Sequence, residues 1–250
     1  MIPISDDNPT LRTPVMTYLI LGTTWAVWIF VQAAGLDPMA LAASVCNLGL
    51  VAGEITRLAP VGEQVPMGGN AVCVVDRDAI NVLTPITSMF LHGSWGHILG
   101  NSLYFWVFGN NVEDSMGRFR FLVFYLVCGL AAAASQVLVS PDSPVPMVGA
   151  SGAISGVLGA YLVLYPRVRV NMFFLFFLLP IPAYLVLLWW IGTQLLAGLS
   201  TLAGAEGSGV AVWAHIGGFF AGLVLIKLFE DRQLTSVRTR LRHELHPGRP

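Results

Sequence analysis

Residues 170–205 read VNMFFLFFLLPIPAYLVLLWWIGTQLLAGLSTLAGA, 36 positions in a row without Asp, Glu, Lys or Arg. A helix crossing a ~30 Å hydrocarbon core needs about 20 predominantly apolar residues. Five further charge-free runs meet that length: Thr13–Leu36 (24 residues), Ala79–Val112 (34), Phe121–Pro141 (21), Ser143–Pro166 (24) and Gly207–Ile226 (20). Charged residues make up 11% of the 250-residue chain, against roughly 25% in soluble proteins. A soluble fold rarely repeats such runs six times. The expected fold class is an all-α polytopic membrane protein, a bundle of six transmembrane helices.

The spans are predicted near Val15–Ala34, Gly96–Asn110, Arg120–Val139, Ser151–Tyr165, Met172–Leu195 and Val210–Leu228. Residues 1–14 then form an N-terminal tail, 15–229 the membrane domain and 230–250 a basic C-terminal tail. A long first external loop, residues 35–94, contains the 16-residue charge-free stretch Pro38–Gly53. That stretch is too short to span and fits an interfacial or re-entrant helix. With six spans both termini share a side, which holds 11 of the 13 cations and leaves only Arg57 and Arg77 opposite. Positive-inside bias therefore puts both tails in the cytoplasm. The basic tail would lie against anionic lipid. Pro180 and Pro182 predict a kink in the fifth span, and Trp189 and Trp190 read as an interfacial anchor.

Composition also excludes partners. A net charge of −1 gives no steering toward nucleic acid, and no Walker-type loop offers a nucleotide site. No cofactor is implied. The first hydrophobic segment lacks a basic n-region and a cleavage site, so it reads as a retained span. Cys46 and Cys73 fall in the same external loop. They can be a bridge or two unpaired small residues, and the sequence leaves both open.

Polar groups inside membrane spans are candidate functional sites. Ser151, in Gly149-Ala150-Ser151-Gly152, opens the fourth span from outside. By itself such a tetrapeptide signals close helix packing. Its functional reading is a nucleophile at a helix N-terminus, where free N–H groups can hold an oxyanion. His215 lies at matching depth in the sixth span. Gly218 and Gly222 share its helical face, and Gly152, Gly156, Gly159 and Ala160 form a small-residue stripe on the fourth span. Docking the two stripes would bring Ser151 to His215. Alone, His215 would read as a hydrogen-bond partner for a neighbouring helix. His97 and Asn101 lie one turn apart on the second span and carry neutral donors suited to an oxyanion. His92 belongs to the loop leading into that helix, as a polar residue buried by packing or as support for the site. Three histidines could also ligate zinc, but no His-Glu-x-x-His pair and no carboxylate within a span supports that, and no metal is expected.

Together, His92, His97-x-x-x-Asn101, Gly149-Ala150-Ser151-Gly152 and Ala214-His215-x-x-Gly218-x-x-x-Gly222 resemble the rhomboid intramembrane serine proteases, in the family's order across Ala79–Phe229. The resemblance implies a six-helix fold with Ser151 as nucleophile and His215 as general base. It implies an oxyanion site from the Ser151 N–H with His97 and Asn101, while helix packing through Gly149, Gly152, Gly156, Gly218 and Gly222 is expected to support the dyad. It also suggests a bacterial inner or plasma membrane, with the active site toward the external face. Glu113-Asp114-Ser115-Met116-Gly117-Arg118 looks like the family's cytoplasmic turn. Ser155 stands where many relatives carry an aromatic that stacks on the catalytic histidine, so the orientation of His215 falls to packing or to hydroxyls such as Ser155.

The expected activity is a serine endopeptidase that uses a Ser-His dyad on transmembrane protein substrates in the lipid bilayer. No span offers a carboxylate for a third member. Two alternatives remain: a catalytically silent relative that binds membrane clients, and a small transporter with a histidine relay. The transporter reading lacks an internal repeat.

Overall fold

The computed structural model describes residues 1–203 and 211–237. Val210, where the sixth span is predicted to begin, and the distal basic tail, Arg238 to Pro250, lie outside the described residues. Strand β1 (Ile2–Asp6) is followed by helix α1 (Val15–Ala26), which continues as a π-helical turn through Val31. Pro14 is the N-cap of α1 and supplies no side-chain cap. Instead Glu113 reaches across the fold: its carboxylate accepts hydrogen bonds from the backbone N–H of Met16 (3.0 Å) and Thr17 (2.8 Å) and from the Thr17 hydroxyl (2.8 Å). A carboxylate there also complements the positive end of the helix dipole. Asp114 beside it accepts from Leu11 N and Arg12 Nε.

The 35–94 segment is structured. Helix α2 (Pro38–Leu48) has Pro at its first position and Asp37 as N-cap, accepting from Met39 and Ala40 N–H. This is the short helix anticipated within Pro38–Gly53. A hairpin of β2 (Gln64–Gly68) and β3 (Ala71–Val74) follows, and a Cys46–Cys73 disulfide ties β3 to α2. The two cysteines are therefore bridged.

Helix α3 (Trp95–Met116) starts at Ser94, whose hydroxyl accepts from His97 N at 3.2 Å. It ends at Gly117, whose φ of +86° favours glycine and turns the chain directly into α4 (Arg118–Val139). Helix α5 (Ser151–Leu164) runs through the middle of the bundle, with every residue from Gly152 to Tyr161 buried. It packs on α3, α4 and α7 (Val212–Phe229), and α6 (Ala183–Leu202) lies outside, mainly against α7.

Between α5 and α6 the structure corrects the sequence reading. The predicted fifth span from Met172 begins instead as two strands, β4 (Arg169–Phe174) and β5 (Phe177–Pro182), and its helix runs from Ala183 to Leu202. Pro180 and Pro182 therefore do not kink a helix. They sit in β5, at the edge of a three-stranded antiparallel sheet ordered β1-β4-β5, with Asn171 opposite Pro180 and Arg169 opposite Pro182. An edge strand tolerates residues without an N–H, and the Phe-rich flank suits a strand. β1 extends the sheet, with Ile2 opposite Phe173 and Asp6 opposite Val170.

The protein is thus a mainly helical membrane bundle with small sheets at its periphery. Among the described residues, α4, α6 and α7 are long and apolar enough to cross a membrane, while Val15–Val31 and α5 are apolar but shorter. Its core is aromatic: Phe105, Phe108, Phe121, Phe124, Tyr125, Tyr161 and Phe219 are almost fully buried.

Candidate active site

The site begins with the contact of α5 and α7. A Cβ on Gly218 would overlap the carbonyl oxygen of Gly152, and one on Gly222 would overlap that of Gly156. Gly159 faces the Phe219 backbone in the same way. On its other side α5 meets α4, where Gly152 faces Ala132 and Gly156 faces Cys128. Glycine is required here because backbone touches backbone. The helices are close enough that side chains at their adjoining ends meet directly.

They do so at Ser151 and His215. Ser151 Oγ lies 2.7 Å from His215 Nε2, and the opposite ring nitrogen, Nδ1, lies 2.8 Å from Gln194 Oε1 on α6. Trp190, one turn before Gln194, packs its ring against the imidazole with centroids 5.9 Å apart, and against Phe219 at 6.0 Å. Ser155 does not orient His215 through its hydroxyl, which donates to the Ser151 carbonyl at 2.6 Å within the helix.

The loop before Ser151 is shaped by Gly149, whose φ is +128°. A Cβ there would come within 2.6 Å of His97 Nε2. The Gly149 N–H donates to the Ser88 carbonyl at 2.9 Å, which pins the loop. His97 therefore lies over the turn that leads into Ser151. Asn101 Nδ2 is 2.8 Å from His92 Nε2, and the rings of His92 and His97 meet edge to face at 4.9 Å. His92 is fully buried, and Gln32 clamps its backbone through two 2.8 Å hydrogen bonds. Asn101 has two amide hydrogens, so one can engage His92 while the other remains for a ligand.

Ser151, His215, His97 and Asn101 all line one cavity of about 800 Å³. Gln136 lines it too, with a buried side-chain oxygen that has no hydrogen-bond partner among the described residues. Among the described residues, no group of three or more His, Cys, Asp or Glu side chains is arranged to hold a metal ion.

Sequence reasoning missed Gln194, Gln136 and Gln32. The available signal was the rule applied to the histidines: an amide inside an apolar segment needs a partner. In sequence, Trp190 reads with Trp189 as an interfacial anchor. Trp189 is 77% exposed and suits that reading, but Trp190 turns inward to His215.

A serine hydroxyl and an imidazole lie in direct contact at the end of a helix, facing a cavity of about 800 Å³ inside a membrane bundle. The family follows from comparison: a model for the Rhomboid domain matches residues 81–231, and the chain belongs to the rhomboid family. Rhomboid protease GluP of Bacillus subtilis is 42% identical over 81 residues, covering 32% of this chain and 15% of that protein. RHOMBOID-like protein 12, mitochondrial, of Arabidopsis thaliana is 31% identical over 159 residues, 53% of this chain and 46% of that one. Rhomboid protein 1, mitochondrial, of Saccharomyces cerevisiae is 27% identical over 149 residues, 56% and 39% respectively. The chain spans less than half the length of each of these relatives.

Proposed function

We propose that this protein is a serine endopeptidase that cleaves transmembrane protein substrates within the bilayer, with Ser151 and His215 as its catalytic dyad. The observation that carries the reading is the 2.7 Å contact between Ser151 Oγ and His215 Nε2 beside an open cavity. In the first step Nε2 takes the hydroxyl proton as Oγ bonds to the scissile carbonyl carbon. The carbonyl π electrons move onto oxygen, where the Ser151 N–H, His97 and Asn101 stabilise the negative charge. Collapse expels the amine, which takes the proton from His215 and leaves an acyl-serine. Water then attacks with His215 again as base, and Ser151 leaves with its proton restored.

Hydrolysis requires water inside lipid. Helix α5 has 14 residues, which at about 1.5 Å rise make it some ~9 Å shorter than a ~30 Å hydrocarbon core. Ser151 at its end is thus recessed below one membrane surface, where the cavity can hold water. With the six-span layout and cytoplasmic tails, that surface is the external one of a bacterial inner or plasma membrane. A substrate helix must unwind to present an extended peptide, since its backbone hydrogen bonds are otherwise closed.

The test is cleavage of a reporter membrane protein in proteoliposomes by wild type, Ser151→Ala and His215→Ala. Cleavage by wild type alone supports the dyad; equal cleavage by all three refutes it. A folded wild type that neither cleaves nor reacts with a fluorophosphonate would assign the client-binding role instead.

A further inference from the structure

We infer that Gln194 is a positioning residue that fixes His215 in the tautomer the reaction needs. This rests on the reading of His215 as general base. A neutral imidazole carries its proton on one nitrogen and accepts at the other. To take the Ser151 proton, Nε2 must be the acceptor, so Nδ1 must carry the hydrogen. The atom facing Nδ1 is the Gln194 side-chain oxygen, at 2.8 Å. A carboxamide oxygen accepts a hydrogen bond without bringing a charge into the bundle. In serine proteases that use a triad, this place belongs to a carboxylate. Here the charge-free runs exclude one, and the amide supplies the acceptor alone. Trp190 on the same helix restricts the face of the ring while Gln194 restricts its direction. Two side chains of α6 thus do for His215 what Ser155 does not.

The test uses the full-length protein in nanodiscs with ¹⁵N-labelled histidine, His215→Ala identifying the His215 signals. In wild type the spectrum is expected to show Nδ1 protonated and Nε2 bare. Gln194→Met keeps a side chain of similar shape without a strong acceptor, and is expected to mix the tautomers and lower kcat about 10²-fold, with KM unchanged. Gln194→Glu retains an acceptor and is expected to restore the single tautomer. An unchanged His215 spectrum in Gln194→Met, or a kcat within threefold of wild type, overturns the inference. If Gln194→Met fails to fold, Gln194→Leu replaces it with the same criteria. The spectrum is read without turnover, so an inactive wild type would sink the protease reading and leave the tautomer question answerable.

We propose separately that the β4–β5 tip inserts into the phospholipid leaflet at the end of the bundle opposite Ser151. Seven consecutive apolar residues, Phe173 to Leu179, are 37% to 91% exposed, with Phe176 the most exposed. The turn itself places Leu175 at φ +44° and Phe176 at φ +75°. Asn or Gly takes such positions at lower cost, so large apolar side chains there are retained against backbone preference. Arg167 and Arg169 are exposed at the base, where they match anionic headgroups. The apolar surface continues along α6 through Leu185, Leu188 and Trp189. A fluorophore sensitive to polarity, attached through Phe176→Cys in single-copy nanodiscs, is expected to emit as in an apolar medium and to be quenched by spin-labelled lipid. Water-like emission quenched by aqueous iodide overturns the proposal. So does apolar emission seen only when two copies share a disc, which would assign the tip to contact between copies.

Discussion

Gly218→Ala adds one methyl group where α7 crosses α5, and its consequences can be worked from the structure. The new Cβ would overlap Gly152 O, well inside the 3.4–4 Å of ordinary contact, and the obstacle is backbone that no rotamer change can move. The helices must part by about 1 Å, a displacement that commonly costs about 10²-fold in rate when it reaches reacting groups. It does reach them, because Gly218 lies one turn from His215 and Gly152 adjoins Ser151. A 2.7 Å contact lengthened by about 1 Å is no longer a hydrogen bond. Overpacking of this kind also destabilises a core by about 1–3 kcal/mol. Gly192→Ala on α6 is the control, since a Cβ there meets nothing within 4 Å. Reporter cleavage in proteoliposomes is measured with thermal unfolding and the rate of fluorophosphonate labelling. The expectation is a large loss of turnover and labelling in Gly218→Ala, with a lower melting temperature, and neither in Gly192→Ala. Wild-type turnover and melting in Gly218→Ala would refute the claim that backbone contact between α5 and α7 sets the Ser151–His215 distance.

Asn101→Ala is expected to lower kcat by about 10²–10³-fold, the usual cost of one oxyanion donor, while Ser151 and His215 remain in place; steady-state kinetics check this. Gly149→Ala must hold an L side chain at φ +128° and push His97 aside, so it should slow cleavage with little change in substrate KM. Replacing Cys46 and Cys73 by serine opens a crosslink between residues 27 apart, worth about 3–4 kcal/mol to the closed segment by loop entropy; limited proteolysis should then cut within residues 64–78. Glu54 is buried, and desolvation together with Asp76 and Asp78 raises its pKa, against the Asp76 N–H and Arg77, which lower it. The folded state therefore holds that proton more tightly than the unfolded chain, and stability falls as pH rises from the ordinary carboxylate range through the raised value. Glu54→Gln should remove this dependence in melting curves taken across acidic pH.

Much of the site was legible because its chemistry is rare in a membrane. Ser151, His97, Asn101 and His215 stand out in spans otherwise apolar, and the glycines that dock α5 on α7 recur at helical spacing. The β4–β5 hairpin was not legible, since a continuous apolar run has neither the period of a helix nor that of a strand. Length arithmetic assigned it to a span, and the two prolines were read as a kink rather than as a strand edge. The His215 partners were hidden for another reason. Ser155 is near Ser151 in sequence but spends its hydroxyl on its own helix, while Gln194 is 21 residues from His215 and reaches it only after α6 docks.

By itself the sequence determined membrane residence and the few polar groups that could do chemistry there, because hydrocarbon penalises every charge and every unpaired donor along the chain. Tertiary structure decided which of those groups meet. Hydrogen bonds act over about 3 Å, and no spacing rule reaches across separate helices at that precision. The contact of α5 with α7 brings Ser151 to His215, and the docking of α6 brings Gln194 to the other side of the ring.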